Sequence, residues 1–484
     1  MRLLFINPPH PSIGSRLAGE HLPPLGLLAV AGPLIDAGHE VQLLDADFSN
    51  LETPKILTQI EQCNPEVILL GHSGSTSAQP KINEITKAVR ERFPEIKIVV
   101  GGVFPTFHWA EILRSQPQID FLVRGEGEAT PRNLINALEK GEPLESVLGI
   151  AYRNNGVPTV TPQPEPIANL DDYRIAWELT REYGYTYWGK RKAVVVQFSR
   201  GCPHHCIYCG QNLFWKTWRH RNPQKFADEI EMLHRDFGIE VFNFADENMN
   251  ADPVVWRQFL EILIAKKLNL ILVGSIRADS IVRDADFLTL YKQAGFERFL
   301  LGMEHHDESV LKKIKKGGTV SKDREAIQLL RKHGILSLAT YVVGFGDETF
   351  RDFYRCWKEF LSYDPDQIMF VFATPHKWTP YFEEMKEKRV ILTDQSKWDF
   401  KHQVLQTRNL SPKAVAFCVK LIELLVQMRP RAVLRLFFHK EARLSGAMRW
   451  YTNIGRRVWF WEVREFFWAT PTEKEDVTVE QFWS

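Results

Sequence analysis

Residues 193–210 read AVVVQFSRGCPHHCIYCG. Val194 to Ser199 is a short, β-branched apolar run of the kind that forms a buried strand. The chain leaves it straight into Cys202, Cys206 and Cys209, spaced C-x3-C-x2-C. Three thiolates within one loop can wrap a single metal centre. A closed zinc site needs a fourth ligand, which His204 or His205 is near enough to supply. A 4Fe-4S cluster held by three cysteines instead leaves one iron open to a substrate or cofactor. The plainest reading is three unlinked thiols. The chain holds six cysteines, and a disulfide scaffold would spread them instead of crowding half of them into one loop. Cys63, Cys356 and Cys418 stand alone in apolar or helical surroundings and read as core thiols.

The strand before the cysteines is the first of a series. Val241 to Ala245, Leu270 to Ser275, Arg298 to Gly302, Leu336 to Gly344 and Gln367 to Phe372 follow it, separated by helical patterns such as Asp252 to Lys267 and Lys322 to His333. The alternation predicts a partial (β/α)6 barrel over residues 190–375, and such barrels carry their chemistry on the loops that follow the strands. The cysteine loop is one of those loops.

Upstream, Leu3 to Asn7, Val41 to Asp45, Glu66 to Gly71, Ile96 to Gly101 and Asp120 to Arg124 alternate with helical stretches. This predicts an α/β, doubly wound, Rossmann-like domain over 1–165, whose ligands bind at the carboxyl ends of the strands. Those ends carry Asn7, Ser73 and Ser75, Gly101 and Gly102, and Gly125 and Glu126. No G-x-G-x-x-G follows the first strand, which argues against a dinucleotide. Val147 to Val160 reads as a hairpin around Asn154-Asn155-Gly156. The prolines 162, 164 and 166 mark a linker, with the domain boundary between 165 and 190. A helical region, 376–484, ends the chain.

Over 484 residues, 61 Lys and Arg stand against 60 Asp and Glu, and the net charge of +1 supplies no global field for nucleic acid or an anionic membrane. MRLLFINPPH lacks the layout of a secretory signal. The longest apolar candidate, Leu22 to Ile35, is broken by Pro23, Pro24, Gly26, Gly32 and Pro33 before it reaches membrane-spanning length. The expectation is a cytoplasmic enzyme.

The cysteine spacing, with Tyr208 just before the last cysteine, resembles the radical S-adenosylmethionine superfamily. The resemblance implies that Cys202, Cys206 and Cys209 hold a 4Fe-4S cluster whose open iron chelates S-adenosylmethionine, which the reduced cluster splits to methionine and a 5'-deoxyadenosyl radical. It continues along the barrel. Glu247 falls at the acidic position that receives the methionine amino group. Ser275 and Arg277 offer a hydroxyl and a guanidinium for the ribose and carboxylate. Glu304 and Gly344 fall at ribose- and adenine-side contacts. Taken singly, Asp279 and Glu348 read as charges on solvated loops. A doubly wound domain before such a barrel resembles the cobalamin-binding subgroup, and the D-x-H-x-x-G pattern of a lower axial histidine is missing. Asn7, Ser73, Ser75, Gly101, Gly102, Gly125 and Glu126 are then the cobalamin-side residues. The competing reading of this domain is a nucleotide-binding or empty flavodoxin-like fold.

Beyond the barrel, the stretches from Ala373 to Tyr381, Trp398 to Leu405 and Met448 to Trp459 resemble the anaerobic oxidative cyclase family of chlorophyll biosynthesis. That family closes the isocyclic ring on magnesium-protoporphyrin IX monomethyl ester and takes the ketone oxygen from water. The implied substrate is a porphyrin, with flavodoxin or ferredoxin as electron donor. The alternative is a cobalamin-dependent radical methyltransferase acting on a tetrapyrrole, isoprenoid or other small molecule. Between Arg429 and Trp468 the chain carries eight Arg and one Lys against three Glu, interleaved with aromatics. Such side chains can stack on a macrocycle and pair with its propionates, lie on a membrane surface, or bind single-stranded nucleic acid, which the neutral overall charge disfavours. The plainer reading is a helical cap packed on the barrel.

Overall fold

In the computed structural model, residues 1–9, 20–71, 76–438, 441–469 and 477–483 are described. The apolar runs of the first unit form β1 (Arg2–Asn7), β2 (Glu40–Asp45), β3 (Val67–Gly71), β4 (Lys97–Gly101) and β5 (Phe121–Val123), parallel in the order β2-β1-β3-β4-β5. Every residue of the central β3 is buried, as expected for a parallel strand covered on both faces. The predicted hairpin is β6 (Ile150–Asn154) and β7 (Val157–Val160), antiparallel to β5 and to each other. Its turn places Asn155 and Gly156 at φ 49° and 82°, the left-handed pair a two-residue hairpin needs. The strand order reverses between β1 and β3, so their loops flank a topological switch point.

This unit comprises Met1–Ser12, Pro23–Gly184 and Phe214–Lys216. The proline-rich stretch expected to be a linker thus packs on it as far as Gly184. Ala176 N donates to Leu28 O at 3.1 Å, and Arg174 pairs with Asp36 at 2.7 Å. Gly32 permits the approach, because a Cβ there would lie 2.1 Å from Arg174 O.

The second unit comprises Ile13–Leu22, Tyr185–Leu213 and Thr217–Ser484. Its strands are β8 (Thr186–Tyr187), β9 (Arg191–Val196), β10 (Ser199–Arg200), β11 (Arg219–His220), β12 (Val241–Phe244), β13 (Ile271–Arg277), β14 (Phe296–Glu304), β15 (Leu336–Val343) and β16 (Gln367–Phe372). From β9 to β16 the long strands run parallel in chain order, with β8 antiparallel at the edge, and the sheet stays open as a half-barrel. The helices behind it start on side-chain caps: Asn222 accepts from the Gln224 and Lys225 amides, and Asp252 from Val254 and Val255. Phe198, Phe226, Phe244, Trp256 and Phe259 fill the space between helices and strands at centroid distances of 5.1–6.3 Å. Cys356 and Cys418 are buried, and Cys63 is only half-buried at the end of its helix.

The C-terminal helices Pro412–Gln427, Pro430–Phe438 and Ala442–Arg464 belong to the same compact unit. Several of the arginines and aromatics considered for macrocycle stacking are engaged in packing. Arg429 and Arg435 bind Asp364 at 2.7 and 2.6 Å, Arg443 binds Glu297, and Trp450 and Tyr451 pack edge-on or tilted against Trp188. The plainer reading, a cap, describes these residues. Among the described residues no helix is long and apolar enough to cross a membrane.

Candidate active site

The cysteine loop is tied at its base by β10 and β11, which pair Ser199 with His220 and Arg200 with Arg219. Gly201 turns the chain out of β10 at φ 84°, where a Cβ would stand 2.5 Å from Thr217 O. Ile207 N then donates to Ile314 O at 3.1 Å, Tyr381 N to Ile207 O at 3.0 Å, and Trp378 Nε1 to Gly210 O at 3.0 Å. The three thiols on this braced loop are half-buried and form no disulfide. Burial pushes Cys209 up to about 11 and raises Cys202, while Arg277 and Lys316 act on Cys202 in the opposite direction.

Among the described residues no three His, Cys, Asp or Glu side chains converge on a single-ion site. The donor set is three thiols without a fourth protein ligand, which fits a 4Fe-4S cluster with one open iron. Iron coordination deprotonates the thiols. The buried cations Arg277 and Lys316, both acting on Cys206, would offset the charge so created.

Glu247, Arg277 and Glu304, at successive strand ends, act on the same loop. At the end of β12, Glu247 Oε2 accepts from Gly201 N at 3.3 Å. Its neighbour Asp246 is 4% exposed and accepts from Phe198 N, Ser199 N and Ser199 Oγ at 3.1, 2.5 and 2.7 Å. Burial pushes Asp246 up to about 7 against those three donors. Ser275 is half-buried on β13, and among the described residues its hydroxyl has no partner. Arg277, at the end of β13, makes a bidentate pair with Asp279 at 2.9 and 2.7 Å and donates to Lys316 O at 2.8 Å. Asp279 is therefore not a solvated surface charge: it orients the guanidinium.

Glu304 ends β14 at φ 67° and binds Lys316 Nζ at 2.8 Å, and the same carboxylate acts electrostatically on the Tyr208 hydroxyl. Burial first and Glu304 second hold Tyr208 well above the usual phenol range. After β15, Gly344 lies at φ 88°, and the amides of Gly344, Phe345 and Gly346 donate to Glu348 at 2.6–2.8 Å. Glu348 thus fills a nest of amides and shapes this loop, which corrects its reading as a solvated charge. Lys316 drew no reading from the sequence, where it ends the run Lys312, Lys313, Lys315 and Lys316. The Gly317-Gly318 pair that turns the chain back was the available signal.

In the first unit, Asn7 Nδ2 donates to Asp45 Oδ1 at 2.8 Å across β1 and β2. Gly102, at φ 117° and ψ −172°, opens the helix Val103–Phe107. Thr106 Oγ1 donates to Gly102 O at 2.7 Å and accepts from Gly125 N at 3.0 Å, linking the loops after β4 and β5. Gly101 lies beside Val123, and Gly125 has φ 85°. Glu126 accepts from Ile167 N at 2.8 Å. Ser73 and Ser75 lie outside the described residues.

The profile of the B12 binding domain matches residues 13–135, and that of the Radical SAM superfamily matches residues 196–356. The radical S-adenosylmethionine methyltransferase TsrM from Kitasatospora setae, solved with cobalamin and a 4Fe-4S cluster bound, has the same fold at a TM-score of 0.71 and 16% identity, over 94% of this chain and 99% of that one. Fold and motif together define a radical S-adenosylmethionine enzyme with a B12 binding domain. The anaerobic magnesium-protoporphyrin IX monomethyl ester cyclase of Synechocystis sp. is 51% identical over 100% of this chain and 97% of its own length. That of Rubrivivax gelatinosus is 30% identical over 98% and 86%. The chain belongs to this cyclase family.

Proposed function

We propose that the chain catalyses the oxidative cyclisation of magnesium-protoporphyrin IX monomethyl ester to its isocyclic-ring product, with a 4Fe-4S cluster, S-adenosylmethionine and cobalamin as cofactors. The carrying observation is the 51% identity to the Synechocystis cyclase, which extends through all three regions of the chain. Residues 1–165 would hold cobalamin, 190–375 the cluster and S-adenosylmethionine, and 376–484 would complete the substrate side.

When bound, the cluster and S-adenosylmethionine supply hydrogen-atom abstraction, and cobalamin a redox-active cobalt. Cys202, Cys206 and Cys209 hold the cluster. Glu247 and Arg277 carry opposite charges, suited to the amino and carboxylate groups of S-adenosylmethionine. Ser275 offers a free hydroxyl to the ribose. Glu304 and Tyr208 form the wall beside the last cysteine, and Gly344 lets the adenine side approach the backbone closely. Asn7, Gly101, Gly102, Gly125 and Glu126, with Ser73 and Ser75, take the cobalamin side.

A reductant of the flavodoxin or ferredoxin type must deliver electrons to the cluster, and no nucleic acid takes part. The reading places the enzyme in the cytoplasm and rests its C-terminal helices on a membrane surface, where an apolar porphyrin concentrates. The test is an anaerobic reaction of reconstituted protein with S-adenosylmethionine, reductant, cobalamin and the porphyrin ester, followed by mass spectrometry. A ring-closed product supports the cyclase. A mass gain of one methyl group would replace it with the methyltransferase.

A further inference from the structure

One cavity of the second unit, about 50 Å³, is lined by Phe372, Lys401, His402, Gln403 and Phe466 among others. It lies at the carboxyl end of β16, beside the loop that follows β15. Gln403 joins the two: its Nε2 donates to Gly344 O at 3.4 Å and to Leu405 O at 2.8 Å. A Cβ on residue 344 would stand 2.7 Å from Gln403 Oε1. Gln403 thus ties the cavity wall to the loop that follows β15, and none of the lining residues has a cofactor role.

His402 is 3% exposed. Its Nδ1 lies 2.9 Å from Asp399 Oδ1, an oxygen that also accepts from Lys401 N at 2.9 Å. A carboxylate only accepts, so Nδ1 carries the hydrogen and Nε2 presents a lone pair. Nε2 is buried without a hydrogen-bond partner, and so is Gln403 Oε1. Glu465 Oε1, at 3.7 Å from Nε2, is too far to accept from it and is itself ion-paired with Lys397 Nζ. Lys401 and Lys413 stand in the cavity wall, and Lys420 lies over the Phe466 ring at 5.6 Å. Two unpartnered buried acceptors in one cavity call for a ligand that donates an O–H or N–H, which excludes a bare carbonyl or carboxylate, and the oxygen chemistry of the cyclase reading selects O–H.

We propose that this cavity binds an O–H group at the reacting side arm of the substrate, and that His402, oriented by Asp399, removes its proton. The inference rests on the cyclase reading, whose product carries a ketone oxygen. In the step, the O–H bond breaks, the electron pair stays on oxygen, and the proton moves to Nε2. The resulting imidazolium is held by the Asp399 carboxylate, with Glu465, shared with Lys397, 3.7 Å from Nε2, and no electron is exchanged. The O–H belongs either to a water or to an already hydroxylated side arm.

The test uses the reconstituted holoenzyme and its H402Q and H402A variants, with iron content and circular dichroism as folding checks. The porphyrin ester and a synthetic side-arm-hydroxylated ester serve as substrates. The expected result is 5'-deoxyadenosine formation at the wild-type rate, with ring closure slowed about 100-fold or more in both variants. Added imidazole should restore ring closure in H402A, and the acid limb of the wild-type pH profile should vanish in H402Q. Failure on both substrates assigns the O–H to the side arm, and failure on the parent ester alone assigns it to water. Ring closure by H402Q at the wild-type rate and pH profile overturns the inference while leaving the cyclase reading intact. A wild-type enzyme that cleaves S-adenosylmethionine but leaves the porphyrin unchanged overturns both.

Discussion

Glu304 and Lys316 form an ion pair 2.8 Å long, with each side chain about nine-tenths buried, and only a glycine at 302 leaves room for it. A Cβ on Gly302 would lie 2.5 Å from Glu304 Oε1 and 2.7 Å from Lys316 Nζ. The Glu304 carboxylate acts on the Tyr208 hydroxyl on one side, while the Lys316 carbonyl receives Arg277 on the other. The pair thereby couples the cysteine loop to the ends of β13 and β14.

Removing one partner of such a pair leaves a charge buried and uncompensated. Lys316→Met should therefore destabilise the fold by about 3–5 kcal/mol and weaken S-adenosylmethionine binding in the reconstituted protein. Urea unfolding and equilibrium dialysis measure the two effects. An unfolding curve superposable on wild type would show that the pair does not support the site.

That network also marks the limit of the sequence reading. The cysteines, the strand ends and both sheets were legible, because β-branched runs and a three-thiol loop are local signals. Asp279 and Glu348 read as solvated charges although their partners are local, Arg277 two residues back and the amides of Gly344, Phe345 and Gly346 within four, because a carboxylate that folds back on its own loop has no signature in residue type or spacing. Lys316 drew no reading, since it meets Glu304 only once its loop returns to the end of β14. Asp246 was passed over for Glu247 for a similar reason: its role is to receive the Phe198 and Ser199 amides from the end of the neighbouring strand. The C-terminal arginines divided in a way composition cannot show, since Arg429 and Arg435 are fixed by Asp364 while others face outward.

Two buried carboxylates should contribute to stability with opposite pH dependence. Asp246 is raised from 3.8 to about 7 by burial, so the folded state binds its proton more tightly than the unfolded chain. Its ionisation costs about 4 kcal/mol at alkaline pH, a cost relieved as pH falls from about 7 towards 4. Burial also acts to raise Asp364, but hydrogen bonds from Arg435 and Arg429 outweigh it and bring the carboxyl down to about 2. It stabilises by about 2 kcal/mol above pH 4, and this is lost as pH falls towards 2. Unfolding free energies over a pH series should flatten between 4 and 7 in D246N and between 2 and 4 in D364N. An unchanged slope in either variant would refute the corresponding assignment.

Cys206→Ala removes one of three thiols from a loop whose backbone bonds do not involve that side chain. The fold should persist while the iron and sulfide content of the reconstituted protein collapses and 5'-deoxyadenosine formation falls below detection. Retained cleavage with a native circular dichroism spectrum would sink the cluster assignment.

Gly102 adopts φ 117° and ψ −172°, a region that essentially only glycine occupies. Gly102→Val should cost about 1–3 kcal/mol in backbone strain and shift the Thr106 bridge between the loops after β4 and β5. The expected readout is weaker cobalamin binding in an absorbance titration, with the cluster content unchanged. Cobalamin affinity equal to wild type would remove these loops from the cobalamin side.

The outer face of the C-terminal helices makes the membrane proposal testable. Phe417, Leu421, Leu424, Leu425 and Met428 are all exposed and recur at helical spacing along one face. Leu434, Phe437 and Phe438 continue the pattern on Pro430–Phe438, at 55%, 60% and 78% exposure, and Phe460, Trp461 and Trp468 are exposed further on. Arg431, Arg449, Arg456, Arg457 and Arg464 are exposed on the same helices. Apolar side chains flanked by arginines are the composition of a surface that inserts shallowly among anionic headgroups. Burying a Phe side chain is worth about 1.5–3 kcal/mol, so F437D/F438D should weaken binding to phosphatidylglycerol vesicles by about 100-fold or more. The wild-type chain should bind less tightly as salt rises, because the arginines act through a screened field. Vesicle binding that is insensitive to both the substitutions and the salt would refute this face as the contact.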